Sequence, residues 1–102
     1  MYDIHFWTTP NGYKVLLLVE EAELNYTIKP VNISKGEQFS SEFLKISPNN
    51  RMPALVDHIP VGAAHPICMF ESGSILLYLA DKVGRFIPTA IVGRTEVLQW
   101  LF

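Results

Sequence analysis

Pro66-Ile67-Cys68-Met69-Phe70-Glu71-Ser72-Gly73-Ser74-Ile75-Leu76-Leu77-Tyr78-Leu79-Ala80 changes periodicity across a single polar step. Pro66 to Phe70 is short, apolar and rich in β-prone residues, which reads as a strand. Ser72 to Val83 then reads as a helix that is apolar nearly all round, closed by Gly84, a residue suited to the left-handed position after a helix. Glu71-Ser72 therefore sits where a strand becomes a helix. Free N–H groups and the positive end of the helix dipole make such a junction a carboxylate site, and the Ser72 hydroxyl adds a donor. Glu71 suits an ammonium group, so the pair together fits the two charges of an α-amino acid. Local sequence alone favours Ser72 as an N-cap and nothing more.

Working backwards, Ala54-Leu55-Val56 behind Pro53 is another brief strand, and the loop holding Asp57, Pro60 and Gly62 joins the two as a hairpin. Ser40 to Ile46 is compatible with a short helix, ended by Ser47-Pro48-Asn49-Asn50, and Ser34 to Glu37 reads as loop. Tyr26 to Ile33 is a strand. Gly12 to Leu24 places Val15, Leu18, Val19 and Ala22 at helical spacing, with Leu16 and Leu17 widening the stripe so that the helix is covered on two sides. Tyr2 to Trp7 is the first strand, cut off by the turn formers Thr8-Thr9-Pro10-Asn11-Gly12. The order is βαβ, a short helix, ββ and a last helix. Its first half demands a right-handed crossover between parallel strands and its second supplies a hairpin with a covering helix. An α/β, thioredoxin-like domain is expected, with a four-stranded mixed sheet flanked by helices.

Working forwards, Arg94 to Phe102 begins like a helix whose apolar density rises to Trp100-Leu101-Phe102 with no stop signal. Such a helix cannot bury those side chains within itself. The expectation is a thioredoxin-like unit over residues 1–86, with 87–102 as a linker and the first turns of a helical second domain, and a chain that associates when that domain is missing.

Composition excludes several roles. The 102 residues carry 8 basic and 10 acidic side chains, a formal charge of −2 without a basic block, which argues against nucleic acid and anionic membrane surfaces as partners. No apolar run approaches the roughly 20 residues that span a bilayer, and the amino terminus lacks a signal-peptide pattern. A single cysteine leaves no internal disulfide, so a reducing, cytoplasmic setting is expected. Charged residues make up only 18 % of the chain against 49 % apolar and aromatic ones, which implies apolar surface facing a partner. His58, His65 and Cys68 lack the paired spacing of a zinc site, and the glycines form no phosphate loop, so neither a metal nor a nucleotide is indicated. Cys68, in an apolar strand, reads as a small buried hydrophobe rather than a redox centre. His5 reads as a packed or partly exposed side chain rather than a base.

Two further stretches could carry chemistry. In Thr8 to Gly12 a threonine hydroxyl and the Asn11 amide can donate to an anion at the head of the first helix, a thiolate included. The same residues have structural readings, with Asn11 as N-cap and Thr-Pro as turn starter. Pro53 opens a strand after Arg51-Met52. Local sequence favours a trans bond there, whereas the thioredoxin-like plan places a cis-proline before the third strand and leaves the backbone of Met52 open to a peptide-like ligand.

Phe70 to Ala80, together with Asn50-Arg51-Met52-Pro53-Ala54-Leu55-Val56-Asp57, resembles the amino-terminal domain of glutathione transferases along the whole chain. Thr9 to Val15, Glu20 to Leu24, Ser47 to Asn50 and Leu98 to Phe102 are similar to the Nu class, bacterial glutathione-dependent disulfide-bond reductases. The resemblance implies glutathione as cosubstrate, contacted by Asn11, Gln38, Met52 with Pro53, Glu71 and Ser72. It implies Thr9 beside the sulfur, Arg51 near the glycyl carboxylate, and a homodimer whose partner copy completes the site with an arginine. The loop after the first strand has no cysteine, and Tyr13 falls inside the helix, so Thr9, Thr8 and Asn11 remain, with Thr9 and Asn11 as the catalytic candidates, and bound glutathione must be the attacking thiol. A free thiol with a pKa near 8.5 is only slightly ionised at neutral pH, so these donors would favour the thiolate. The expected function is reduction of small disulfides, with conjugation to an electrophile or a noncatalytic assembly module as the alternatives.

Overall fold

The computed structural model describes residues 1–102. Its elements are β1 (Tyr2–Phe6), α1 (Pro10–Glu21), β2 (Tyr26–Pro30), two 3₁₀ turns (Ile33–Lys35 and Glu37–Phe39), α2 (Ser41–Leu44), β3 (Ala54–Asp57), β4 (Ile67–Phe70), α3 (Ser72–Val83) and α4 (Ile91–Leu101). The strands form one sheet in the order β2-β1-β3-β4. β1 and β2 are parallel, Tyr2 opposite Tyr26 and Phe6 opposite Pro30. β3 runs antiparallel to both β1 and β4, with Ala54 opposite His5 and Phe70. The thioredoxin-like plan expected from the order of elements is the one observed.

Alternation along β1 sends Tyr2 and Ile4 to one face, where they pack with Leu55 of β3, Val15 and Val19 of α1, and Ile75 and Leu79 of α3. Each such side chain contributes about 1.5–3 kcal/mol on burial, which makes this layer the main core. The opposite face is covered only near one end, where Val31, Phe43 and Ala54 form a smaller cluster. Central β3 is buried along its whole length, whereas edge strands β2 and β4 are partly exposed.

Several boundaries differ from the sequence reading for local reasons. α1 ends at Glu21 rather than Leu24, because Glu23 turns left-handed (φ 55°) and the Leu24 N–H bonds back to the Val19 carbonyl. β2 stops at Pro30, which cannot donate to a ladder, and the residues beyond it tighten into two 3₁₀ turns, the first capped by the Asn32 side chain and the second opening at left-handed Gly36. α4 begins at Ile91, three residues before Arg94, and buries none of its residues. Cys68 is exposed, contrary to expectation: β4 is an edge strand, and Met69 takes the inward position beside the core while Cys68 points the other way. α3 ends as expected, with Gly84 left-handed (φ 69°) and its N–H on the Ala80 carbonyl. No helix is long and apolar enough to cross a membrane.

Candidate functional site

The strand register brings distant segments to one edge of the domain. Phe6, Pro30, Ala54 and Phe70 are the terminal residues of their strands at the same end of the sheet. Thr9, Met52-Pro53 and Glu71-Ser72 follow or precede those positions by only a few residues. Thr9, Asn11, Arg51, Met52, Pro53, Glu71 and Ser72 are therefore carried by the loops and helix starts at this end, while Gln38 stands on the second 3₁₀ turn, farther along the chain from β2.

Thr9, not Asn11, caps α1. Its backbone is extended (φ −126°, ψ 158°) and its hydroxyl oxygen accepts the Gly12 N–H at 3.2 Å, while Pro10 fills the first helical position. The Asn11 amide, in the first turn, is left exposed. The Thr9 hydroxyl donates to the Met52 thioether at 3.7 Å, and the Trp7 N–H donates to the same sulfur at 3.1 Å. Two donors thus converge on a sulfur atom at the end of β1. Tyr13 lies on α1, edge-on to Phe6 at 5.3 Å, as its place in the sequence suggested.

The Met52–Pro53 peptide bond is cis. The backbone N–H and C=O of Met52 make no hydrogen bond within the chain, so the edge ahead of β3 is open. Arg51 is exposed, its carbonyl held by the buried Ser47 hydroxyl at 2.7 Å. Arg51, Met52 and Gln38 border a cleft of about 290 Å³ with Ile33 and Asn50. The Gln38 side-chain oxygen is buried there without a partner. A buried acceptor left unpaired calls for a donor from a ligand or water.

Glu71 is the N-cap of α3, and Ser72 is its first helical residue, so the simple N-cap reading of Ser72 does not hold. Neither side chain bonds within the chain at this helix start. Glu71 has φ 72° and ψ 118°, a conformation that costs a residue with a side chain on the order of 1–3 kcal/mol and that clusters at ligand sites. Glu71, Ser72 and Gly73 border a second cleft of about 540 Å³, lined also by Asn11, Lys14, Trp100 and Phe102. Thr9 stands between residues of the two clefts, since it caps the helix that carries Asn11 and donates to the sulfur of Met52.

The sequence reading missed Lys14, Trp100 and Phe102 as site residues. Lys14 lies one turn beyond Asn11, a spacing that shares a helix face and could have flagged it. Trp100 and Phe102 were read only as unburied tail; their place beside Glu71 depends on how α4 folds back over α3. The Phe102 ring lies where a side chain on Gly73 would stand, 2.5 Å from that position. His5 is packed, as expected: its ring stands 5.7 Å from that of Phe43, and burial holds its pKa below the usual imidazole value, against the pull of Asp3. His58 pairs with Asp3 at 2.8 Å.

The thioredoxin-like domain thus leaves its backbone edge, a strained glutamate and a helix start open at one end. The chain belongs to the glutathione transferase family: the model described as "Glutathione S-transferase, N-terminal domain" matches residues 3–81. The Escherichia coli disulfide-bond oxidoreductase YfcG is 53% identical over 102 residues, 100% of this chain and 47% of that protein. A Pseudomonas fluorescens glutathione transferase family member, solved with two glutathione molecules bound, superposes with a TM-score of 0.93 at 41% identity, over 98% of this chain and 44% of that one. A Pseudomonas putida glutathione transferase, solved with one glutathione disulfide per subunit, gives 0.92 at 39% identity, over 98% and 43%. The chain thus spans about half the length of these relatives and resembles Nu-class-like disulfide-bond oxidoreductases among them.

Proposed function

We propose that this chain is the glutathione-binding domain of a glutathione-dependent disulfide-bond reductase, and that the thiolate of bound glutathione is its nucleophile. The observation that carries the reading is the gathering of Thr9, the open Met52 backbone and Glu71-Ser72 at one end of the sheet. Glutathione presents an α-amine and α-carboxylate, a peptide backbone, a thiol and a glycyl carboxylate. Glu71 and the start of α3 suit the first pair, Met52 suits the backbone by strand-like pairing, and Arg51 with Gln38 suits the glycyl end. Asn11 and Thr9 are left for the sulfur. The convergence of the Thr9 O–H and Trp7 N–H on the Met52 sulfur supports this, because the same donors could serve a thiolate.

In the reaction the glutathione thiolate attacks one sulfur of a small disulfide, an S–S bond forms to glutathione, and the other sulfur leaves as a thiolate. A second glutathione thiolate then attacks the mixed disulfide, giving glutathione disulfide and the second substrate thiolate. Two glutathione thiols are oxidised for each disulfide reduced. Residues 1–86 supply the polar groups of this site, and 87–102, whose Trp100 and Phe102 border the same cleft, lead toward a helical part that builds the acceptor pocket, in a cytoplasmic homodimer. The relatives solved with glutathione or its disulfide and the relative named a disulfide-bond oxidoreductase support the reading.

The test uses the complete gene product. Glutathione binding measured by calorimetry should weaken at least tenfold in Ser72→Ala, the loss expected for a hydrogen bond to a charged group. Cys68→Ala should reduce a small disulfide at the unaltered rate. Loss of reduction in folded Cys68→Ala would move the nucleophile to the protein, and tight binding without any reduction would make the domain an assembly module.

A further inference from the structure

We infer that Lys14 is a specificity-determining residue of the glutathione site, the cation that holds the α-carboxylate of the γ-glutamyl residue against the start of α3. This rests on the reading of the cleft as a glutathione site and adds to it a side chain that the sequence did not single out. Among the residues bordering the 540 Å³ cleft, Lys14 is the only base and Glu71 the only acid. Their charges are the complement of an α-amino acid zwitterion. The ion pairs of the chain are His58–Asp3, Lys82–Asp57 and Arg94–Asp81, so Lys14 and Glu71 do not neutralise one another or any other group. Lys14 also makes no side-chain hydrogen bond to α1, on whose exposed side it stands.

Geometry assigns the two charges to different ends of the amino acid. Glu71 precedes α3 in a positive-φ conformation, and its negative carboxylate suits the ammonium end of the amino acid and not the carboxylate end. The N–H groups of α3 and the Ser72 hydroxyl are donors without charge, and within this chain Lys14 is the only cation that borders the place of the carboxylate. Lys14 projects from α1 into the same cleft one turn after Asn11, and a lysine stem is long and free enough to bring its ammonium to that carboxylate. A thiol peptide with a free α-carboxylate and α-amine is selected over one lacking either.

Three ligands separate this claim from the reading beneath it: glutathione, glutaryl-cysteinylglycine, which lacks the amine, and 4-aminobutanoyl-cysteinylglycine, which lacks the α-carboxylate. Dissociation constants are measured by calorimetry on the complete gene product, with Lys14→Gln, Lys14→Arg and Ser72→Ala beside the unaltered protein. Lys14→Gln should weaken glutathione and the glutaryl ligand by roughly tenfold each and leave the aminobutanoyl ligand unchanged. Lys14→Arg should restore most of the loss. If Ser72→Ala weakens glutathione while Lys14→Gln weakens all three ligands alike or none, the glutathione site stands and the role of Lys14 is refuted. If the unaltered protein binds no glutathione, both fall together.

Discussion

A side chain at Gly12 would place its first carbon 2.6 Å from the Trp7 carbonyl oxygen and 2.9 Å from the Phe6 ring. The first turn of α1 is pressed that closely onto the end of β1, and this contact sets where Thr9 and Asn11 stand. Gly12→Ala should therefore cost about 1–3 kcal/mol in urea unfolding, the usual penalty of overpacking, with an unchanged slope. Glutathione affinity should fall with it as Thr9 is displaced; a variant of unaltered stability would show that the contact relaxes freely. At this scale the sequence was a partial guide. Glu71 and Ser72 could be singled out because a strand-to-helix change brackets them, but which residue capped each helix could not. Asn11 and Ser72 are both favoured N-cap types, and the register of each helix start moved the cap to Thr9 and Glu71.

Among elements, α3 is tied to β3 by a buried polar cluster. The fully buried Asp57 carboxylate accepts the Tyr78 hydroxyl and the Lys82 ammonium, both at 2.5 Å, and the Ile59 N–H at 2.9 Å. Lys82 also donates to the Ile59 carbonyl and stands 4.9 Å from the Tyr2 ring centre. Burial alone would raise the Asp57 pKa, yet the bonds from Lys82, Tyr78 and Ile59 outweigh it and hold the carboxyl below its usual value. Burial, reinforced by Asp57, pushes the Tyr78 phenol up to about 12. The signs of these shifts are opposite in effect. The lowered carboxyl contributes its full stability above about pH 3.9, its unfolded value, and loses it as pH falls through the folded one. The raised phenol contributes below about pH 10 and loses its contribution as pH rises toward 12. Asp57→Asn should cost roughly 3 kcal/mol near neutrality, since it strands a mostly buried ammonium, and the gap to the unaltered protein should close in acid. In alkali, unfolding should accompany the tyrosinate absorbance of Tyr78 and be absent from that window in Tyr78→Phe; coincident curves for both proteins would exclude the linkage. Asp57 was read as a loop residue, because a buried carboxylate can be recognised only once its partners on α3 are in place.

At the scale of the molecule the apolar excess of the composition lies at the surface. Leu17 is 69% exposed, Ile91 80% and Trp100 82%, and a small apolar cavity of about 150 Å³ opens between α3 and α4 beside Leu76, Leu77, Phe86 and Val97. α4 buries no residue and is fastened by the Arg94–Asp81 pair, with two bonds of 2.8 and 2.9 Å at the surface. The chain by itself should therefore self-associate, and light scattering should give a mass above 11.6 kDa that rises with concentration. Leu17→Lys with Trp100→Gln should reduce it. A monomer at all concentrations would show that these side chains find cover within the chain.

The sequence by itself determined the order and type of the elements, since hydrophobic periodicity is a property of neighbours in the chain, and it marked Glu71-Ser72 and Pro53 by their places at element boundaries. Strand register, the isomer of the Met52–Pro53 bond and the meeting of Thr9 with Met52 were decided only in three dimensions. So were the pairing of Asp57 with Lys82 and the entry of Lys14 into the cleft. Each joins groups from separate elements, and the free energy that holds them there comes from burying β1, β3, α1 and α3 against one another, which no local stretch contains.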